Sequence, residues 1–155
     1  MNTKNKKSTR IFIITFSWIL VIALMWIIFY LSNQEATVSA GTSSSVIAKI
    51  FELFHIRLSQ GMVRKTAHML EYFALCTLLY NAYYQTFRKP QPLLSILSVA
   101  FLASSDEIHQ YFVAGRACML RDVFIDLIGG FFALVICTLI CKIIIKISKR
   151  IKKEV

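Results

Sequence analysis

Three stretches of this chain carry residue types that could do chemistry. The first is Arg64-Lys65-Thr66-Ala67-His68-Met69-Leu70-Glu71-Tyr72. On a helix Arg64, His68 and Glu71 fall at i, i+4 and i+7, and so on one face. The second is Asp106-Glu107-Ile108-His109-Gln110, in which Asp106 shares a face with His109 and Gln110. The third runs from Gly115-Arg116 through Arg121-Asp122 to Asp126, Gly129 and Gly130. Asp122, Asp126 and Gly129 align on one face, and the glycines would let another helix approach closely. Arg64, Lys65, Arg116 and Arg121 suit an anionic group, because an arginine fork matches phosphate and carboxylate in a bidentate way. His68 with Glu71, and His109 with Asp106 or Glu107, have the composition of a general base and its orienting acid. No metal is expected: neither His-Glu-x-x-His nor a closely spaced Cys-x-x-Cys occurs. No Gly-x-Ser-x-Gly nucleophile motif occurs either. The residues point to no particular cofactor.

The elements that must position these groups are membrane elements. The 155 residues are 57% hydrophobic and 17% charged, with a net charge of +10. A soluble domain is about 45–50% apolar and about 25% charged. A soluble nucleic-acid binder is excluded as the leading reading despite the charge. So is a secreted disulfide scaffold, because Cys76, Cys137 and Cys141 lie in apolar runs. The pattern predicts an all-α integral membrane bundle of four transmembrane helices, near Ile11–Leu31, Ala67–Tyr84, Leu93–Phe112 and Val123–Ile145. The first apolar run exceeds the ~7–15 residues of a signal peptide core, so it is expected to stay as a span. Gly41-Thr42-Ser43-Ser44-Ser45 reads as a loop or helix start. Val46–Leu58 is amphipathic, with Ile47, Phe51, Phe54 and Leu58 opposite Lys49 and Glu52. It is expected to lie in the outer interface or to pack on the bundle.

Charge sets the orientation. With the N-terminus inside, the inner side holds Lys4, Lys6, Lys7, Arg10, Arg88, Lys89 and the basic run from Lys142 to Lys153. The outer side holds only Lys49, Arg57, Arg64, Lys65, Arg116 and Arg121. This bias predicts a multi-pass protein of the cell membrane with both termini cytoplasmic. It divides the chain into a basic N-terminus (1–10), a transmembrane domain (11–145) and a basic tail (146–155). Anionic lipid of the inner leaflet accounts for the positive tails without a nucleic-acid partner. The acids go the other way: all except Glu154 lie at or near the outer end. Charge inside a span is costly and marks function by default. Transport ranks lowest among the functions, because mid-span positions are nearly uniformly apolar.

Taken in order, Arg64-Lys65-x-x-His68-x-x-Glu71-Tyr72, Asp106-Glu107-x-His109-Gln110-x-Phe112, Gly115-Arg116 and Asp122-Val123-x-x-Asp126-x-x-Gly129 resemble the VanZ-like family. Ser32-Asn33-Gln34 resembles the Ser-x-Gln that follows that family's first helix. The resemblance spans about Phe29 to Gly130. It departs at Asp126, where many members have Asn, and at Ala117-Cys118-Met119, where small polar residues are commoner. It implies a small bacterial multi-helix membrane protein of the cell envelope. The family's namesake is associated with teicoplanin resistance, an antibiotic-resistance role against a glycopeptide.

Three readings of the outer cluster stay open. In the first, the ligand-binding set is Arg64, Lys65, Gln110, Arg116, Arg121, Asp122 and Asp126. It would recognise a membrane lipid, a lipid-linked cell-wall precursor or a lipoglycopeptide. In the second, His68, Glu71, Asp106, Glu107 and His109 form a membrane-embedded acid–base site acting on a lipid-linked envelope substrate. Whether the chain is an enzyme is left undecided at this point. In the third, bases and acids only pair with one another and fix helix register.

Overall fold

A computed structural model describes residues 3–154. The extreme ends of the two basic termini, Met1, Asn2 and Val155, lie outside the described residues, as do the side chains of residues 3–6, Ala36, Phe54 and 152–154. Among the described residues the chain is all-helical. The helices are α1 (Thr3–Ser32), α2 (Ala36–Phe54), α3 (Gln60–Phe87), α4 (Pro92–Gln110) and α5 (Leu120–Glu154).

Two helices are long and apolar enough to cross a membrane, within α1 at Lys7–Ser32 and within α5 at Leu120–Ile151. Both outlast a hydrocarbon core of roughly 30 Å at about 1.5 Å rise per residue. The other two expected spans are helices too, α3 and α4. They are less apolar: α3 carries His68, Glu71 and Asn81 within its stretch, and α4 carries Asp106, Glu107 and His109.

The segment after α1 differs from expectation. Gly41–Ser45 is not a loop but the middle of α2. The hydroxyls there are turned back onto the helix: Ser43 and Ser44 each donate to the carbonyl four residues earlier at 2.9 Å, and Ser45 does so at 3.2 Å. That satisfies a polar side chain without breaking the helix. The helix ends at His55, which takes a left-handed conformation (φ 55°) and donates its backbone N–H to Phe51 O. Leu58 is therefore not part of it. The N-terminus of α3 is capped by Ser59, whose hydroxyl accepts from the Met62 N–H at 3.2 Å. Because α3 starts before the expected Ala67, Arg64, Lys65, His68 and Glu71 all ride one continuous helix. Pro92 in the first turn starts α4, where its missing N–H costs nothing.

The central helix is α3, which packs against α1, α2, α4 and α5, most extensively against α5. Two adjacent glycines seat α5 in the groove between α3 and α4. A Cβ at Gly129 would overlap the Met69 carbonyl of α3, and one at Gly130 would stand 2.8 Å from Val99 Cγ1 of α4. The apolar core is small: Val21, Ile28, Tyr72, Leu75, Cys76, Val99, Ala103 and Ala133 are among its members. Asp106, Glu107, Gln110, Asp126 and Ser32 are also buried, while Phe101, Phe112, Leu120 and Trp26 are exposed. Polar inside and apolar outside is the arrangement a lipid solvent favours. Trp18 and Tyr83 tie α1, α3 and α4 together. Trp18 Nε1 donates to Thr86 Oγ1 at 3.1 Å, Tyr83 OH shares a hydrogen bond with Ser98 Oγ at 2.8 Å, and the two rings meet edge to face at 5.2 Å.

Candidate functional site

The ends of α1 and α4, the start of α5 and the first turns of α3 converge on one polar cluster. Asp106, fully buried, accepts from Ser32 Oγ at 2.8 Å and from Gln110 Nε2 at 3.0 Å. The i, i+4 spacing of Asp106 and Gln110 makes the second bond local. The first joins α4 to α1 across the bundle. Gln110 then accepts from Arg116 Nη1 at 3.2 Å through Oε1. The result is one chain of contacts running from Ser32 through Asp106 and Gln110 to Arg116.

Arg116 follows Gly115, whose φ of 73° lies in the left-handed region that glycine adopts without strain. The turn aims the guanidinium back toward α1, where Nε donates to Gln34 O at 2.9 Å and Nη2 reaches Leu31 O at 3.4 Å. All three acceptors of Arg116 are neutral amide oxygens. Partial burial pushes its pKa below the ordinary arginine value, and nearby Arg64 adds to this, while Asp106, Glu107 and Glu71 oppose it. The ion pairing expected among bases and acids is sparse. Among the described residues, Arg121 is the only arginine or lysine within ion-pair range of a carboxylate, 3.9 Å from Asp122 Oδ1.

A cleft of about 320 Å³ opens beside this chain of contacts. Arg64, Lys65, Arg116 and Arg121 line it together with His68, Asp122 and Asp126. Gln110 also reaches it. A second, smaller cleft of about 170 Å³ lies between α2 and α3, and Arg64, His68 and Arg116 border both. His68 Nδ1 lies 3.6 Å from Glu71 Oε2 and 4.0 Å from Asp126 Oδ1, and it makes no hydrogen bond in the protein. Both oxygens of Asp126 are buried and unpartnered. Asp126 is 1% exposed, so this is a carboxylate shut away from bulk water with no protein donor.

Four of the residues singled out from sequence do not line the larger cleft: Asp106 holds its neighbours from a buried position, Glu71 borders only the smaller cleft, and His109 and Glu107 stand apart from both. His109 is half-buried against α1, its ring 5.9 Å from that of Phe29, and is not among the cleft's lining residues. Glu107 faces the other way from Asp106 and accepts from the Met119 N–H at 2.9 Å, tying α4 to the chain entering α5. Among the described residues no hydrogen bond or ion pair joins His109 to Asp106 or Glu107, so the expected acid–orienter contact is not formed in this arrangement. Conversely, Ser32 and the carbonyls of Leu31 and Gln34 belong to the cluster and had no assigned role. Ser32-x-Gln34 was visible as a pattern, whereas a backbone carbonyl leaves no mark in a sequence. Among the described residues no group of His, Cys, Asp and Glu has the arrangement of a metal site.

The family model described as VanZ/LLP1 matches residues 16–142, more than half of the chain. No curated protein and no solved structure gives a significant match.

Proposed function

Because the chain belongs to the VanZ/LLP1 family, we propose that it is a four-span cell-envelope protein whose basic cleft faces outward and binds an anionic group. That group would belong to a membrane lipid, a lipid-linked wall precursor or a lipoglycopeptide, and binding would contribute to teicoplanin resistance. One observation carries the reading. Arg116 is held in place by Gln110 and by the Leu31 and Gln34 carbonyls, none of which is charged. Its positive charge is positioned at the cleft without being cancelled, beside Arg64, Lys65 and Arg121. A preorganised cationic fork is what recognition of phosphate or carboxylate needs.

Four spans with both termini cytoplasmic accord with the basic ends of α1 and α5 and with Arg88 and Lys89 between α3 and α4. By length, the 28 residues of α3 and the 19 of α4 suffice to cross, α4 at roughly 28 Å. The test is teicoplanin susceptibility of a deficient host carrying the wild type or Arg116→Ala, with membrane abundance measured for each. Protection by the wild type, lost in an abundant Arg116→Ala protein, is expected. Equal protection by both would overturn the role given to Arg116.

A second reading has its own observation. His68 Nδ1 is without a hydrogen bond beside Glu71 and Asp126, at the cleft wall. An acid–base step on a bound envelope lipid would use that imidazole. It predicts that His68→Gln abolishes the effect without weakening ligand binding, whereas the binding reading predicts little change.

A further inference from the structure

The bases of the cleft explain why an anion would enter it, but not why acids line it as well. Asp126 lines the cleft, is 1% exposed, and offers two oxygens that no group in the protein satisfies. Asp122 lines the cleft too, its buried Oδ1 without a hydrogen bond but 3.9 Å from Arg121 Nε. His68 Nδ1, 4.0 Å from Asp126 Oδ1, is unpartnered as well. A buried carboxylate without donors is among the most unfavourable arrangements in a fold. It persists where something else supplies the donors. The arginines supply none to Asp126: the contacts of Arg116 lie on neutral oxygens, and Arg121 pairs with Asp122. A purely anionic ligand would make matters worse, because it would bring like charge beside Asp126 and supply it no donor.

We propose that the cleft takes a ligand bearing both an anionic group and a primary ammonium, the anion on Arg64, Lys65 and Arg116 and the ammonium on Asp126. This rests on the anion-binding reading above and narrows its substrate class. An ammonium has three N–H donors and no acceptor. It can serve both oxygens of Asp126 and cancel its charge at once. The cleft volume of about 320 Å³ lies at the small end of the ~300–1,000 Å³ usual for small-ligand sites. It suits a headgroup and not a whole lipid. An amino-phosphate of this kind can come from a lipid headgroup or from a soluble molecule, and the chemistry of recognition is the same.

The experiment uses the full-length protein in detergent and compares dihexanoyl-phosphatidylethanolamine, dihexanoyl-phosphatidylglycerol and soluble O-phosphoethanolamine by tryptophan fluorescence or calorimetry. The wild type is expected to bind the ethanolamine lipid ~10-fold or more tighter than the glycerol lipid, the scale of one charge-assisted hydrogen bond. In Asp126→Asn that ratio is expected to fall close to one. Binding of O-phosphoethanolamine as strong as that of the lipid would assign the source to a soluble molecule, and much weaker binding would assign it to a lipid. Equal binding of the two lipids by the wild type overturns the ammonium assignment while leaving the anion-binding reading standing. Binding of none of the three overturns both. The wild-type comparison needs no variant to fold. Asp126→Asn is read only with a melting curve showing a folded protein, and a folded variant that keeps the wild-type ratio likewise overturns the assignment.

Discussion

Ser32 and Asp106 meet side chain to side chain at 2.8 Å, joining the last residue of α1 to the last turn of α4. Both are buried, and Asp106 passes the contact on to Gln110 and so to Arg116. The last turn of the first helix is therefore tied to the arginine that borders the cleft. Removing the hydroxyl leaves a buried carboxylate oxygen short of a donor. Ser32→Ala is expected to cost about 1–3 kcal/mol, seen as a lowered melting temperature in detergent. A melting curve superimposable on the wild type's would show that the bond contributes nothing.

Gly129 and Gly130 should respond unequally to alanine. At Gly129 the obstacle is the Met69 carbonyl, which belongs to the α3 backbone and cannot move without shifting that helix. At Gly130 it is a methyl of Val99, a side chain that can turn aside. Gly129→Ala is expected to lose most folded protein in the membrane, and Gly130→Ala to lose about 1–3 kcal/mol, the usual cost of overpacking. Size-exclusion profiles and melting temperatures would check the order. If Gly130→Ala is the more damaging, α5 does not sit against α3 as described.

Arg116→Lys should behave as a loss rather than a conservative change. A lysine ammonium cannot present the guanidinium's three separate N–H directions to Gln34 O, Leu31 O and Gln110 Oε1. The turn joining α1 to α2 is expected to exchange its amide hydrogens faster in Arg116→Lys than in the wild type. Unchanged exchange at Asn33–Glu35 would mean the arginine does not hold that turn.

Glu107 accepts the Met119 N–H just before α5. Glu107→Gln keeps an acceptor oxygen, and Glu107→Ala removes it. The alanine variant is expected to lose about 0.5–2 kcal/mol, the range for losing a helix cap, and the glutamine variant less. Matched stabilities for the two variants would show that the contact has no energetic weight.

Orientation can be read from a native thiol. Cys118 is free and exposed in the chain between α4 and α5, whereas Cys76 is buried. In intact cells a membrane-impermeant maleimide is expected to label Cys118 and to leave a thiol introduced by Ser148→Cys untouched. Labelling of the Ser148→Cys site and not of Cys118 would invert the topology.

How much of this was legible beforehand depends on whether a feature is local. The helices α1 and α5 are written in uninterrupted apolar runs, and no tertiary contact is needed to make them helical. The glycine pair is legible for the same reason, since the absence of a side chain is a local fact. The hydroxyl run Thr42–Ser45 misled, because Ser and Thr favour loops and also helices in which they bond back to the preceding turn. Local composition does not distinguish the two. Asp106 and Gln110 were correctly grouped by their spacing. His109 was grouped with them as well, yet it packs on Phe29. A helical face is a broad arc, and only the neighbouring helix decides which part of it meets which partner.

The sequence by itself determined the class of protein, its two long apolar helices, its family and the concentration of acids at one end. Those are properties of residue type and order. The tertiary structure decided that the bases of this end are not neutralised by its acids. It put Arg116 on backbone carbonyls of α1 and the turn beyond it, Glu107 on a backbone N–H, and Asp126 in a buried wall with no donor. Counting charges predicts pairing, because opposite charges attract at any distance. Pairing also requires side chains to reach one another, and helix packing, set here by Gly129, Gly130 and the turn at Gly115, fixes which of them can.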